Sequence, residues 1–449
     1  MINKTKLFLN ELVSGWKFYL FLVSIIIFSS VLNWNADLMK GILPYYLNFS
    51  NYFLNGFTYS EQFDRGIYTW PMWGYGLILL LKSKVLIITI QQFLTFFVIV
   101  LVRLYFKNRV DYRTFKFVSI LILFALPWYF FQVSLWPYGI SGNLLTLSLI
   151  FLSIGIEKLK FRYIVYSALS FGIMLNFRSD YFYFAFLIVF AVFLLNKVYG
   201  HSKKAILYIS LWFSIIILTL MPWAIHSYKY SDKFSLVSSN SGHVFYISLG
   251  QLPNNKWNIT PSDEDSTMRK FIDSKISVHE STLSSKSNTL LMDRFIQLVK
   301  NDPKEYFKKC IYNFKSLIVN PFYTGSVYSD NVDTNKFKSL IKIQISESNY
   351  LNAVRLFYEA FGLYIIFPIC LYIINLAVVV LVLLSTFNNI KRLNKFREFK
   401  ILNLFILLVL LYQIALSVFA YHVPVYSTNI FLLLVILIGC NLNNKSVLN

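Results

Sequence analysis

Long apolar runs separated by short polar loops dominate this chain. Each run of about 20 residues is long enough, as a helix, to cross about 30 Å of hydrocarbon. They fall at 16–32, within 70–105, and near 115–133, 138–157, 161–177, 179–197 and 204–225. A polar stretch at 226–356 follows, and then apolar runs near 358–386, 400–419 and 425–441. The period-two alternation of a membrane β-barrel is missing. The pattern predicts an all-α polytopic membrane protein in three parts. Residues 1–225 form a membrane-embedded module that includes a first outer loop at 33–71. Residues 226–356 form an extracytoplasmic segment, and 357–449 supply C-terminal transmembrane helices.

Smaller periodicities refine this. Within 41–56, Ile42, Tyr45, Tyr46, Phe49, Tyr52 and Phe53 share one helical face, which predicts a helix lying in the membrane interface. In the polar segment, Leu291, Phe295 and Leu298, then Tyr306, Cys310, Phe314 and Leu317, recur at helical spacing. They predict two helices divided at Asp302-Pro303 and lying on the membrane face, in a segment that is otherwise turns and an acidic cluster, Asp263-Glu264-Asp265.

Composition agrees with a membrane location: 57% of the 449 residues are hydrophobic, 14% are charged, and mean hydropathy is +0.56. A net charge of +21 would point to nucleic acid in a water-soluble protein. Here most Lys and Arg sit in short loops, where they set topology and meet anionic headgroups, so no nucleic-acid partner is implied. Basic clusters at 103–116, 158–162, 197–204 and 391–400 all fall on the cytoplasmic side if the N-terminus is cytoplasmic and 70–105 crosses once. Residues 71–82 then form a short interfacial or broken piece, the total is about ten crossings, and loop 33–71 shares the outer side with 226–356. Lys4 and Lys6 ahead of the first run, with no small-residue cleavage site after it, read as an uncleaved signal anchor. Cys310, Cys370 and Cys440 imply no disulfide framework.

The candidate chemistry lies on that outer side. Asp37, just past the first run, can stay ionised there and serve as a general base toward a substrate whose lipid tail lies in the bilayer, or be a hydrated loop acid. Glu61 and Asp64 beside Arg65 could help hold a divalent metal, orient an acceptor, or form a surface pair. Arg178 and Asp180 interrupt an apolar hairpin. The Arg fork suits phosphate oxygens, and the two side chains could equally pair to close a tight turn. His226, Lys229 and His243 could face a phosphate, but the histidines are too scattered for a zinc site.

Several stretches, in order, resemble the C-type glycosyltransferase fold, and within it the protein O-mannosyltransferases and lipid A aminoarabinose transferases. A span is followed by Asp37, by the aromatic helix, and by Tyr68-Thr69-Trp70-Pro71-Met72-Trp73. Leu175-Asn176-Phe177-Arg178-Ser179-Asp180 resembles that family's leucine-x-arginine-proline hairpin, with Ser179 in place of proline. Pro222-Trp223-Ala224-Ile225-His226-Ser227-Tyr228, with Gly242 and Gly250 beyond, resembles its proline-tryptophan-x-isoleucine-arginine-asparagine-tyrosine box, with His226-Ser227 replacing arginine-asparagine. Asp302-Pro303-Lys304-Glu305-Tyr306 resembles its proline-x-x-tyrosine element. The likeness spans roughly 15–320.

What the resemblance implies is an inverting transferase of the cytoplasmic membrane, active on its outer side. It would move a sugar from a polyprenyl-phosphate donor to a glycan, lipid or protein acceptor. Asp37 would be the catalytic base and Asp64 a second acid. Arg178 would be a phosphate contact or a structural support. The residues themselves offer Arg65, Asp180, His226, Tyr228 and His243 as further substrate contacts, and a divalent metal is left open. Alternative readings are a polysaccharide polymerase, a lipid-linked glycan flippase or transporter, and a non-enzymatic assembly subunit. Transporters tend to show internal repeats and midplane charges, whereas the notable charges here gather at one face.

Overall fold

The computed structural model describes residues 15–32, 43–59, 70–107, 109–123, 135–199, 203–276, 281–319, 376–387 and 401–442, with isolated positions between them. Every regular element among them is helical. Four helices are long and apolar enough to cross a membrane: Lys84–Lys107, Pro137–Lys158, Lys204–Ser231 and Ile401–Ala420. Gly15–Ser30, Ser179–Leu194, Leu376–Phe387 and Phe431–Leu442 are shorter apolar helices. The chain is a helical membrane protein.

We number the helices in chain order. In the first half they are α1 (Gly15–Leu32), α2 (Leu43–Leu54), α3 (Gly74–Leu79), α4 (Lys84–Lys107), α5 (Tyr112–Leu123), α6 (Pro137–Lys158), α7 (Phe161–Phe177), α8 (Phe182–Tyr199) and α9 (Lys203–Ser231). The polar segment holds α10 (Ser241–Ser248), α11 (Ser266–Asp273), α12 (Ser285–Asn301) and α13 (Pro303–Val319). The C-terminal helices are α14 (Leu376–Phe387), α15 (Ile401–Ala415, continued by a π-helical turn, Leu416–Ala420), α16 (Pro424–Thr428) and α17 (Phe431–Leu442).

Residues 70–107 hold one long helix. Six-residue α3 ends at a turn in which Lys82 takes a left-handed φ of 50°, and α4 then runs unbroken. This is the short piece leading into a single long helix that the loop charges require. Proline begins α6 at its first turn, where its missing N–H costs nothing, and most of the helix is buried. Small residues let its neighbours approach: a Cβ at Gly172 of α7 would lie 1.9 Å from Thr219 Oγ1 of α9. Hydroxyls join the same three helices, with Ser167 Oγ donating to Ser148 O (2.7 Å) and accepting from Trp212 Nε1 (2.8 Å).

The bundle has two chemically distinct ends. At one, Arg103 stacks on Phe18 at 3.5 Å and donates to Ser119, Arg109 pairs with Glu157 at 3.1 Å, and Thr114 donates to the Leu442 carbonyl. Among the described residues, the basic loops at 103–116 and 158–162 therefore meet there. At the other end the helix termini meet the segment formed by α10–α13, whose core is Tyr246, Leu249, Ile259, Met268, Ile272 and Leu291. The chain divides α12 from α13 at Asp302-Pro303, as the helical spacing predicts. The aromatic face of α2 differs from expectation. Tyr46, Phe49 and Tyr52 are buried against protein, and Leu47 and Leu54 are exposed instead.

Candidate functional site

Between the helix termini and the polar segment lies a cavity of about 500 Å³. Its bundle side is made by Tyr46 of α2, Trp70–Met72, the start of α6 (Trp136, Tyr138), the turn after α7 (Phe177–Asp180), and Leu416, Ala420, Tyr421 and Tyr426 around the end of α15. Its other side is made by Ser238, Asn240, His243, Asp263 and Leu283.

Arg178 sits where α7 stops. The backbone leaves the helix in an extended conformation there (φ −146°), and a single 3-10 turn at Ser179–Tyr181 restarts the chain as α8. Two residues on, Asp180 comes back within reach. Arg178 Nε donates to Asp180 Oδ1 at 2.8 Å, and Nη2 donates to Oδ2 of the same carboxylate. The turn-closing pair that the sequence allows is thus formed, and its forked geometry is the strong kind of ion pair. The guanidinium also lies 3.5 Å from the Tyr138 ring centre and 4.6 Å from that of Tyr426. Those two rings stack with 5.5 Å between centroids. One cation therefore ties together α6, the α7–α8 turn and α16. Nη1 has no acceptor among the described residues, and the side chain is 10% exposed.

One further contact joins this wall to the segment, and another holds the turn to α15. Ser179 Oγ and Ser238 Oγ are 2.6 Å apart, and Tyr412 donates to the Asp180 carbonyl. Across the cavity, buried His243 on α10 meets Asp263 at 2.8 Å through Nε2, and its Nδ1 has no partner among the described residues.

No known protein family, curated protein or solved structure matches this chain. The site therefore has to be read from its own residues. Of the sequence candidates, Arg178, Asp180 and His243 come together on the cavity wall. His226 lies elsewhere. It is 4% exposed, accepts or donates a 3.0 Å hydrogen bond with Tyr59, and is surrounded by the rings of Phe49, Tyr52, Trp73, Trp223 and Tyr230. Tyr228 is exposed on α9 away from the cavity lining. Asp37, Asp64 and Arg65, with Glu61, lie outside the described residues.

The residues missed from sequence are Tyr138, Tyr426 and Asp263. Asp263 was visible only as one of three adjacent acids, and the structure separates them. Asp265 is buried and caps α11, accepting from Met268 N–H (2.7 Å), Thr260 N–H and Oγ1 (2.9 and 2.7 Å) and Thr267 Oγ1 (2.6 Å). Burial pushes its carboxyl up, and these hydrogen bonds outweigh that and hold it below the usual carboxylate range. Asp263 faces the cavity instead.

Chemically, the described wall suits a polyhydroxyl group. Aromatic rings can cover C–H faces, while Asp180, Asp263, Ser238 and Asn240 can exchange hydrogen bonds with hydroxyls. Arg178 is its sole guanidinium or ammonium, and Asp180 already neutralises it. Among the described residues no three His, Cys, Asp or Glu side chains gather as metal ligands. The two cavity carboxylates are held by Arg178 and His243, so the described wall does not offer a divalent cation a ligand set.

Proposed function

We propose that this protein is a membrane glycosyltransferase that moves a sugar from a polyprenyl-phosphate donor to an extracytoplasmic acceptor with inversion. The observation that carries the reading is the aromatic, hydroxyl-matched cavity at the end of the bundle opposite the basic loops. A lipid-borne donor reaches such a site from the bilayer and a polar acceptor reaches it from the aqueous side. By the positive-inside rule the basic end is cytoplasmic, which makes the cavity end extracytoplasmic.

In this reading the acceptor hydroxyl attacks the anomeric carbon from the face opposite the lipid phosphate. The new C–O bond forms as the bond to the phosphate oxygen breaks, and polyprenyl phosphate departs with the electron pair. A carboxylate takes the hydroxyl proton, a task assigned to Asp37, with Asp64 as a second acid near the acceptor. Asp180 and Asp263 orient sugar hydroxyls. Arg178 holds Asp180 and the two tyrosine rings in place, so it acts as a positioning residue rather than as the first phosphate contact.

The test is Asp37→Asn against wild type in membranes supplied with the host's own lipid-linked sugars, with protein levels matched and glycans read by mass spectrometry. Loss of one sugar residue, with the protein folded and inserted, is the expected result and names the sugar. Unchanged glycans in the variant, beside a clear defect in a full deletion, would remove Asp37 from the mechanism.

A further inference from the structure

Helix α13 is inside out. Its buried residues include Glu305, Lys309 and Asn313, while Phe307, Ile311, Phe314 and Ile318 are 66%, 42%, 47% and 46% exposed. These four follow one another at i, i+4, i+7 and i+11, so they form a single stripe along the helix. The sequence spacing picks out Tyr306, Cys310, Phe314 and Leu317, and of these only Phe314 belongs to the stripe.

The polar face is fully used. Lys309 Nζ donates to the carbonyls of Val418 (3.5 Å), Phe419 (3.0 Å) and Ala420, at the last turn of the α15 helix. Asn313 donates to Ser417 O at 3.1 Å, and Tyr306 donates to Phe419 O at 2.9 Å. Helix α15 with its π turn is one of the four long enough to span a bilayer. Its terminal carbonyls mark the level at which it leaves the hydrocarbon, and α13 is bonded to that level. Lys304, Lys308 and Lys315 project along one flank of the stripe, and Lys308 also pairs with Glu305 at 3.1 Å.

From this we infer that α13 binds the headgroup layer of the bilayer, with Phe307, Ile311, Phe314 and Ile318 in the acyl boundary and its lysine flank on anionic phospholipid. An apolar stripe flanked by lysines, at the exit of a spanning helix, is the arrangement that takes such a surface. The inference is independent of the sugar-transfer reading. It places the cavity, whose wall includes Leu416 and Ala420 of that same turn, at the membrane surface rather than above it.

The test places the photo-crosslinker p-benzoylphenylalanine at Phe307 or Phe314 of the full-length chain. The protein is reconstituted in vesicles of phosphatidylcholine alone or mixed with phosphatidylglycerol. The same crosslinker at Phe93 of α4, 71% exposed, serves as the lipid-facing control. The expected result is phospholipid adducts at both α13 positions, with phosphatidylglycerol enriched several-fold over its share of the mixture. Lys304→Gln with Lys315→Gln should return that share toward the bulk ratio. Adducts at Phe93 but none on α13 would overturn the proposal. So would adducts joining α13 to a second protein chain. Lipid adducts without enrichment would overturn its anionic part.

Discussion

Lys309 is buried on a helix that carries four other basic or acidic side chains, and its removal can be worked through atom by atom. In Lys309→Met, three carbonyls lose a donor. Phe419 O keeps Tyr306 (2.9 Å) and Val418 O keeps a long bond from Asn313 (3.4 Å). Ala420 O keeps no other donor among the described residues. A buried acceptor without a partner costs about 1–3 kcal/mol. Against this, methionine removes the penalty of burying an ammonium, the same penalty that pushes the Lys309 pKa down to about 8. The expected net effect is a loss of about 1–2 kcal/mol in the α13–α15 contact, and 1.4 kcal/mol is about a tenfold change in an opening equilibrium.

Neighbouring Cys310 reports it. The thiol is 5% exposed and forms no disulfide among the described residues, and burial raises its pKa, so it reacts when α13 lifts. Maleimide labelling, read on the Cys310 peptide by mass spectrometry, should run about tenfold faster in Lys309→Met. The exposed Lys304→Met should leave it unchanged, because that side chain is not among the donors to the α15 carbonyls. The pH dependence has a defined sign. The folded pKa of Lys309 lies below the unfolded 10.5, so the unfolded state binds more protons between about 8 and 10.5 and stability rises with pH there. The gap between wild type and Lys309→Met should therefore widen as pH climbs through that window. Labelling of Lys309→Met indistinguishable from wild type would refute the reasoning.

Two further outcomes are expected. In Gly242→Ala the new Cβ would lie 2.0 Å from the Asn288 carbonyl oxygen and 2.8 Å from Met292 N, both backbone atoms of α12. The helices must separate, and thermal melts of the purified protein should show a loss of about 1–3 kcal/mol. Asp265→Asn weakens the cap of α11 and should cost about 1–2 kcal/mol at neutral pH, read in the same melts. Because the folded carboxyl titrates below its unfolded value, its contribution is complete above that value, about 3.9, and is lost as pH falls through the folded one. The difference from wild type should shrink in acid, and a difference that grew would count against the assignment.

The helices were legible because apolar length and loop charge are strong, local signals. Even the single helix within 84–107 follows from where the lysines sit. The cavity was legible in part. Arg178, Asp180 and His243 stand out as polar residues in or beside apolar stretches, which is a property of sequence. Tyr138 and Tyr426 do not stand out among 31 tyrosines, because only the crossing of α6 with α16 makes them a pair. Lys309 and Lys308 are adjacent lysines that differ only in helical phase, one buried and one 64% exposed. His226 shows a different limit. Its place in a motif points to substrate, whereas most of the rings around it come from α2, from Tyr59 and from Trp73, far away in sequence.

That ring cluster also sets boundary conditions on the first loop. Tyr59 is tethered to His226 at 3.0 Å, and Trp73 donates to Asn176 of α7 at 2.9 Å, with Trp70 stacked edge-on against Tyr45. The stretch that carries Glu61, Asp64 and Arg65 thus departs from and returns to points fixed on α2, α7 and α9. The described ends of the stretch, Tyr59 and Trp70, are therefore held by the bundle, which meets the entropy of bringing them together.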